Sequence, residues 1–199
     1  MGDDHMSMSW KPVSKTAVAL GVGAAALLWA QALIGKSGFL VLDYVNLPIH
    51  EAGHLLFRVF GPTLGIWGGT LMQVLVPALF LVYFARRAET TGASFGAFWL
   101  GENLLYVATY IADARAMQLP LVGGGEHDWN IILSKLHLLR SDTAIADVVR
   151  FLGWAIMLGA LVFLFSKRDR SVTNQTAVPD EGDRPRENIG EPKNLDRWA

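Results

Sequence analysis

Charge-free apolar runs alternate with short charged brackets along most of this chain, and several runs are as long as a bilayer is thick. Residues 16–35 carry no charge between Lys15 and Lys36. Twenty helical residues span about 30 Å, enough to cross a hydrocarbon core. Ala30-Gln31-Ala32 resembles a signal-peptidase site, but the run is long for a leader and further apolar segments follow, which predicts an uncleaved first helix. The second segment covers residues 39–60. Pro48 disfavours helix at Leu47, so a restart or kink is expected there, with Asn46 or Leu47 near the cap. At 100° per residue, Asp43, His50, His54 and Arg58 share one face with Glu51 at its edge. Leu42, Val45, Ile49, Leu56 and Val59 are left for lipid.

Residues 64–84 predict a third helix, with no charge between Arg58 and Arg86. It opens after Gly61-Pro62 and carries Gly65, Gly68-Gly69, Gln73 and Pro77. Small residues let membrane helices approach closely, and Gln and Pro there face protein. The fourth segment, 94–119, lines one face with Glu102, Tyr106 and Asp113, with Asn103 and Tyr110 alongside. Pro120 is expected to end it. A loop with Gly123-Gly124-Gly125 and then Glu126-His127-Asp128 suits close approach of backbone to a site. Residues 129–139, apolar at 129, 132, 133, 136 and 139, predict an amphipathic helix on the membrane surface. The last span is 148–166, with Arg150 snorkelling.

The expected fold is therefore all-α: a polytopic membrane bundle of about five transmembrane helices plus one interfacial amphipathic helix. A polar N-terminal segment at 1–15 and a disordered polar tail at 167–199 flank a membrane-embedded domain at 16–166. Arg86, Arg87 and the cations at 167–170 share the cytoplasmic side if five helices start from outside, but Lys11, Lys15, Lys135 and Arg140 then lie opposite. Charge alone does not choose the orientation.

Composition agrees: 52% hydrophobic residues, 18% charged and a mean hydropathy of +0.31. A net charge of −1 gives no basis for nucleic-acid binding. The chain has no cysteine, which excludes disulfides, thiolate metal sites and cysteine nucleophiles. Any metal must be held by nitrogen and oxygen.

His50-Glu51-Ala52-Gly53-His54 supplies the chemistry. In H-E-x-x-H two imidazoles lie one helical turn apart and can bind one zinc, with a carboxylate beside them. Ionisable groups inside an apolar span are costly unless paired or metal-bound. A catalytic zinc needs one more protein ligand and a water, whose pKa it lowers toward about 7. Glu51 then takes the proton as general base. Asp128 is the favoured third ligand and Asp113 the next, with Glu102, Asp43 and His127 behind them. Plainer roles also exist: His127 as a surface residue, Asp43 paired with Arg58 or Lys36, and Asn103 and Gln73 as interhelical hydrogen-bonders.

On these residues the chain resembles the site-2 protease class of intramembrane zinc metalloproteases, in particular small bacterial members without a PDZ or CBS domain. The resemblance covers residues 39–139. It implies His50 and His54 as zinc ligands, Glu51 as catalytic base, and an aspartate ligand from a later segment. The family's N-x-x-P-x-x-x-L-D-G mark is absent. Asn103 through Asp113 echoes it with other spacing, while Gly124-Gly125-Glu126-His127-Asp128 is similar to the glycine-serine-aspartate loop of shorter relatives. Gly68-Gly69 with Gln73 is similar to a small-residue motif that holds extended substrate. The resemblance further implies a transmembrane segment of another protein as substrate, in a bacterial cell membrane. A metal-binding membrane chaperone or regulator of the same fold is the alternative, and a metal transporter a third. Oligomeric state is not legible.

Overall fold

The computed structural model describes residues 9–34, 41–120 and 126–169. The described residues form six α-helices: α1 Lys15–Ile34, α2 Asp43–Arg58, α3 Pro62–Ala85, α4 Thr90–Ala112, α5 Asp128–Lys135 and α6 Asp142–Ser166, with a 3-10 turn at Leu139–Ser141 before α6. Two helical stretches, Pro62–Ala85 and Leu139–Ser166, are long and apolar enough to cross a membrane by length and composition. The glycine triplet at 123–125, the cation at 36 and the segments 1–8 and 170–199 lie outside the described residues.

Two glycine pairs set the packing. A Cβ on Gly53 in α2 would collide with the Gly68 carbonyl in α3, and one on Gly68 with the Gly53 backbone. The two helices therefore touch along their backbones, as small residues permit. Gly101 in α4 and Gly153 in α6 repeat the device, each facing the other's carbonyl oxygen at 2.7 Å from a would-be Cβ. One core lies between α4, α6 and α1, around Phe98, Leu105, Met157, Ala160 and Ala25. A second gathers Val107, Ile111, Trp129, Ile132, Leu133 and Ala146, joining α5 to α4 and α6.

Helix directions follow from the contacts. Val18 packs with Leu164, and Trp29 meets Trp154 edge-on, so α1 runs antiparallel to α6. Just before α1, Lys11 pairs with Glu89 and its amide donates to the Ala88 carbonyl, while Val13 bridges to Arg168. The start of α1, the α3–α4 turn and the end of α6 thus meet at one end of the bundle. The arrangement that sets Lys11 opposite Arg86, Arg87 and Lys167 is not the one found. α2 runs the same way as α1, because its Asn46 meets Glu102 midway along α4 while its His54 meets Gly65 in the first turn of α3. α1, α2 and α4 thus run one way and α3 and α6 the other.

Several boundaries differ from expectation. α2 continues through Pro48 without a restart there. A proline costs a helix interior about 3 kcal/mol, but here the turn before it is held by tertiary bonds from Asn46 to Glu102, Trp99 and Asn103. α4 stops at Ala112, well before Pro120, because the Asp113 carboxylate accepts the amides of Gln118 and Leu119 at 2.9 and 3.0 Å and folds a turn there, with Met117 at φ 46°. α5 ends at Lys135, and Trp129, Ile132 and Leu133 face the bundle rather than an outer surface. Among the described residues of the polar N-terminal segment and tail, Val13 is buried, and its backbone pairs with Lys167 and Asp169.

Candidate metal centre

α2 buries Asp43, Asn46, His50 and Gly53, the i, i+3, i+7, i+10 stripe of a helix packed along one side. His50 and His54 therefore point toward α3, one turn apart. Their Nε2 atoms are 3.0 Å from each other. Asp128 Oδ2 lies 3.0 Å from the first and 3.1 Å from the second. His50, His54 and Asp128 form the one cluster of His, Asp and Glu ligand atoms found among the described residues.

The other face of each imidazole is fixed. His54 Nδ1 is 2.7 Å from the Gly65 carbonyl, which can only accept, so Nδ1 carries the proton. His50 Nδ1 is 2.7 Å from Gln73 Oε1. Both Nε2 atoms then aim lone pairs at a carboxylate oxygen. Three electron-pair donors converging on one point repel unless a cation sits among them. A proton serves two of the three atoms, a divalent ion all three. Ligand atoms about 3 Å apart are close enough together to share one small divalent ion at the ~2.0–2.1 Å that zinc prefers. The donor set fits zinc, as do the carbonyl partners behind the histidines.

Asp128 is delivered by α5. His127 caps this helix, its Nδ1 accepting the Asn130 amide at 3.2 Å, and Asn130 Nδ2 donates to the Ala114 carbonyl at 2.8 Å. The Tyr110 ring lies 4.2 Å from that of His127, and its hydroxyl accepts the Asp128 amide at 3.3 Å. Trp129 packs edge-on against Trp67 of α3. No side chain fills the inner wall: a Cβ at Gly69 would stand 2.5 Å from His50 Cε1 and 2.6 Å from His54 Nε2.

Glu51 is exposed on the flank of α2, beside His50. The other ligand candidates are elsewhere. Asp113 caps the end of α4, with the buried His127 Nε2 3.3 Å from its Oδ2. Glu102 and Asp43 are both buried and share the Asn46 side-chain amide, so Asp43 does not pair with Arg58 at the far end of its helix. Gln73 is 1% exposed and turned to His50, which leaves it no surface for an extended substrate. Sequence reasoning missed Gly69 as the wall of the centre and Trp99 as a network member. The Gly68-Gly69 doublet was the available signal for the first. No protein-family profile, characterised protein or solved structure matches the chain.

Proposed function

We propose that this chain is an intramembrane zinc-dependent endopeptidase, in which His50, His54 and Asp128 hold the metal and Glu51 is the general base. The observation that carries it is the convergence of His50 Nε2, His54 Nε2 and Asp128 Oδ2 within 3.0–3.1 Å, with Glu51 next to them in sequence. When bound, zinc supplies Lewis acidity and a water acidic enough to ionise near neutral pH. Glu51, open on the flank of α2, would act there as general base, taking a proton from water and returning it to the leaving amine. His50, His54 and Asp128 would hold the metal. The substrate in this reading is a transmembrane segment of another protein, locally unwound so that its peptide bond is accessible.

A multi-pass location in a membrane, bacterial by the resemblance, belongs to the same proposal. It is supported by apolar side chains left uncovered along the helices, such as Leu20, Leu27, Leu79, Phe151 and Val162, each more than half exposed. Five helices, α1, α2, α3, α4 and α6, lie in the bilayer and make four passages. α2, with 16 described residues, reaches only about 24 Å. Gly69 lies seven residues into α3, which puts the His50, His54 and Asp128 cluster about 10 Å from the start of that helix.

The test is metal analysis of the full chain purified without chelators, followed by co-reconstitution with a reporter protein that has a single transmembrane segment. Zinc near one per chain and chelator-sensitive cleavage are expected. A chain that neither carries nor takes up zinc refutes the reading, and zinc binding without cleavage of any single-span reporter favours the non-proteolytic regulator.

A further inference from the structure

His50 offers a metal its Nε2 lone pair only if its proton stays on Nδ1, and the group behind Nδ1 is a carboxamide, which can present either oxygen or nitrogen. A chain of buried side chains decides which. It begins at Trp99, whose indole N–H can only donate. That N–H lies 2.8 Å from Asn46 Oδ1, so the oxygen end of Asn46 faces α4 at this point. The other end of the same amide, Nδ2, meets Glu102 Oε2 at 2.8 Å and Asp43 Oδ1 at 3.3 Å, which agrees with that orientation. Asn103 Nδ2 donates to Asn46 Oδ1 at 3.2 Å and to the Trp99 carbonyl at 3.1 Å. Its Oδ1 is thereby left to accept from Gln73 Nε2, at 3.3 Å. Gln73 must then turn its oxygen to His50 Nδ1, 2.7 Å away.

Reversing any one amide sets donor against donor or oxygen against oxygen. Asn46 and Asn103 are fully buried and Gln73 nearly so, so water cannot repair a reversed link. We propose that Gln73, Asn103 and Asn46, with Trp99 as the fixed end, are positioning residues that hold His50 in its Nδ1–H tautomer. The proposal rests on the metal-centre reading for its purpose, though not for its geometry. It also explains why three helices contribute side chains to a network that makes no contact with the metal position beyond His50.

The tautomer can be read without zinc. Nitrogen NMR of metal-free protein labelled in its histidines, recorded at a pH high enough that both rings are neutral, distinguishes Nδ1–H from Nε2–H, with His54 as internal reference because a backbone carbonyl fixes it. Wild type is expected to show Nδ1–H at both positions. Gln73→Met, similar in size and without the oxygen, should give mixed tautomers at His50 alone and zinc affinity 10–100-fold weaker by chelator competition. Gln73→Glu keeps an acceptor and should keep the Nδ1–H tautomer. Asn103→Leu removes the acceptor that turns Gln73 and should mix the His50 tautomers while His54 is unchanged, which keeps the test alive if Gln73→Met does not fold. Nε2–H at His50 in wild type, or Gln73→Met with wild-type tautomer and zinc affinity, overturns the proposal. A wild-type chain that shows Nδ1–H at His50 yet binds no zinc upholds the positioning chain and removes the metal centre.

Discussion

A single methyl group at Gly69 should abolish tight metal binding. Ordinary van der Waals contact begins at 3.4 Å, and a Cβ there would sit 2.6 Å from His54 Nε2 and 2.5 Å from His50 Cε1. The rings would have to retreat by about 0.8–0.9 Å, whereas metal–ligand distances tolerate about 0.2 Å. Retreat is blocked behind, because each Nδ1 already rests 2.7 Å from its carbonyl partner. Losing the reach of even one imidazole should weaken zinc binding by about 100-fold or more, some 2.7 kcal/mol. Competition against a chelator of known affinity measures this, with circular dichroism as a check that the helices persist. Gly23→Ala in α1 is the control: nothing lies within 4 Å of its would-be Cβ, and alanine there should be neutral or stabilise by up to about 1 kcal/mol. A Gly69→Ala protein that binds zinc as wild type does would refute the geometry on which the metal centre is built.

Three further outcomes follow from the same coordinates. Glu51→Gln should keep zinc near one per chain and lose about 10²–10⁴-fold in cleavage rate, measured on the reconstituted reporter. Asp128→Ala should lose zinc, whereas Asp113→Ala should keep it and lower stability by about 1–2 kcal/mol, since it uncaps the turn after α4; metal content and denaturant melts separate the two. His127→Ala removes the α5 cap at a cost of about 0.5–2 kcal/mol, and should weaken zinc binding less than Asp128→Ala does.

The pentad was legible because its spacing is a property of the helix alone. Wherever α2 sits, residues four apart share a face. The close-packing glycines of α3 and the burial of Gln73 and Pro77 were legible for a similar local reason, their cost on any other face. Asp128 was singled out from several carboxylates, and the described structure brings it alone to the two imidazoles. What stayed hidden depends on contacts between distant segments. Pro48 reads as a helix breaker until Glu102, Trp99 and Asn103 are seen holding the turn before it. Asp113 reads as a ligand until the amides of Gln118 and Leu119 fold onto it. The shared end of α1, α3 and α6 could not be found by counting cations, because Lys11 finds its partner Glu89 only in three dimensions.

The beginning of α2 deep within the bundle has a mechanical consequence. The first turn of a helix carries about half a positive charge on its unpaired amides, and here that turn contains Asp43 and lies against the Glu102 carboxyl. Sliding α2 along its own axis by one residue would pull Asn46 off Glu102, Trp99 and Asn103 and bring the Gly53 and Gly68 backbones out of step. The helix is keyed lengthwise at both points, so the height at which its imidazoles stand is set by hydrogen bonds at one end and by shape at the other.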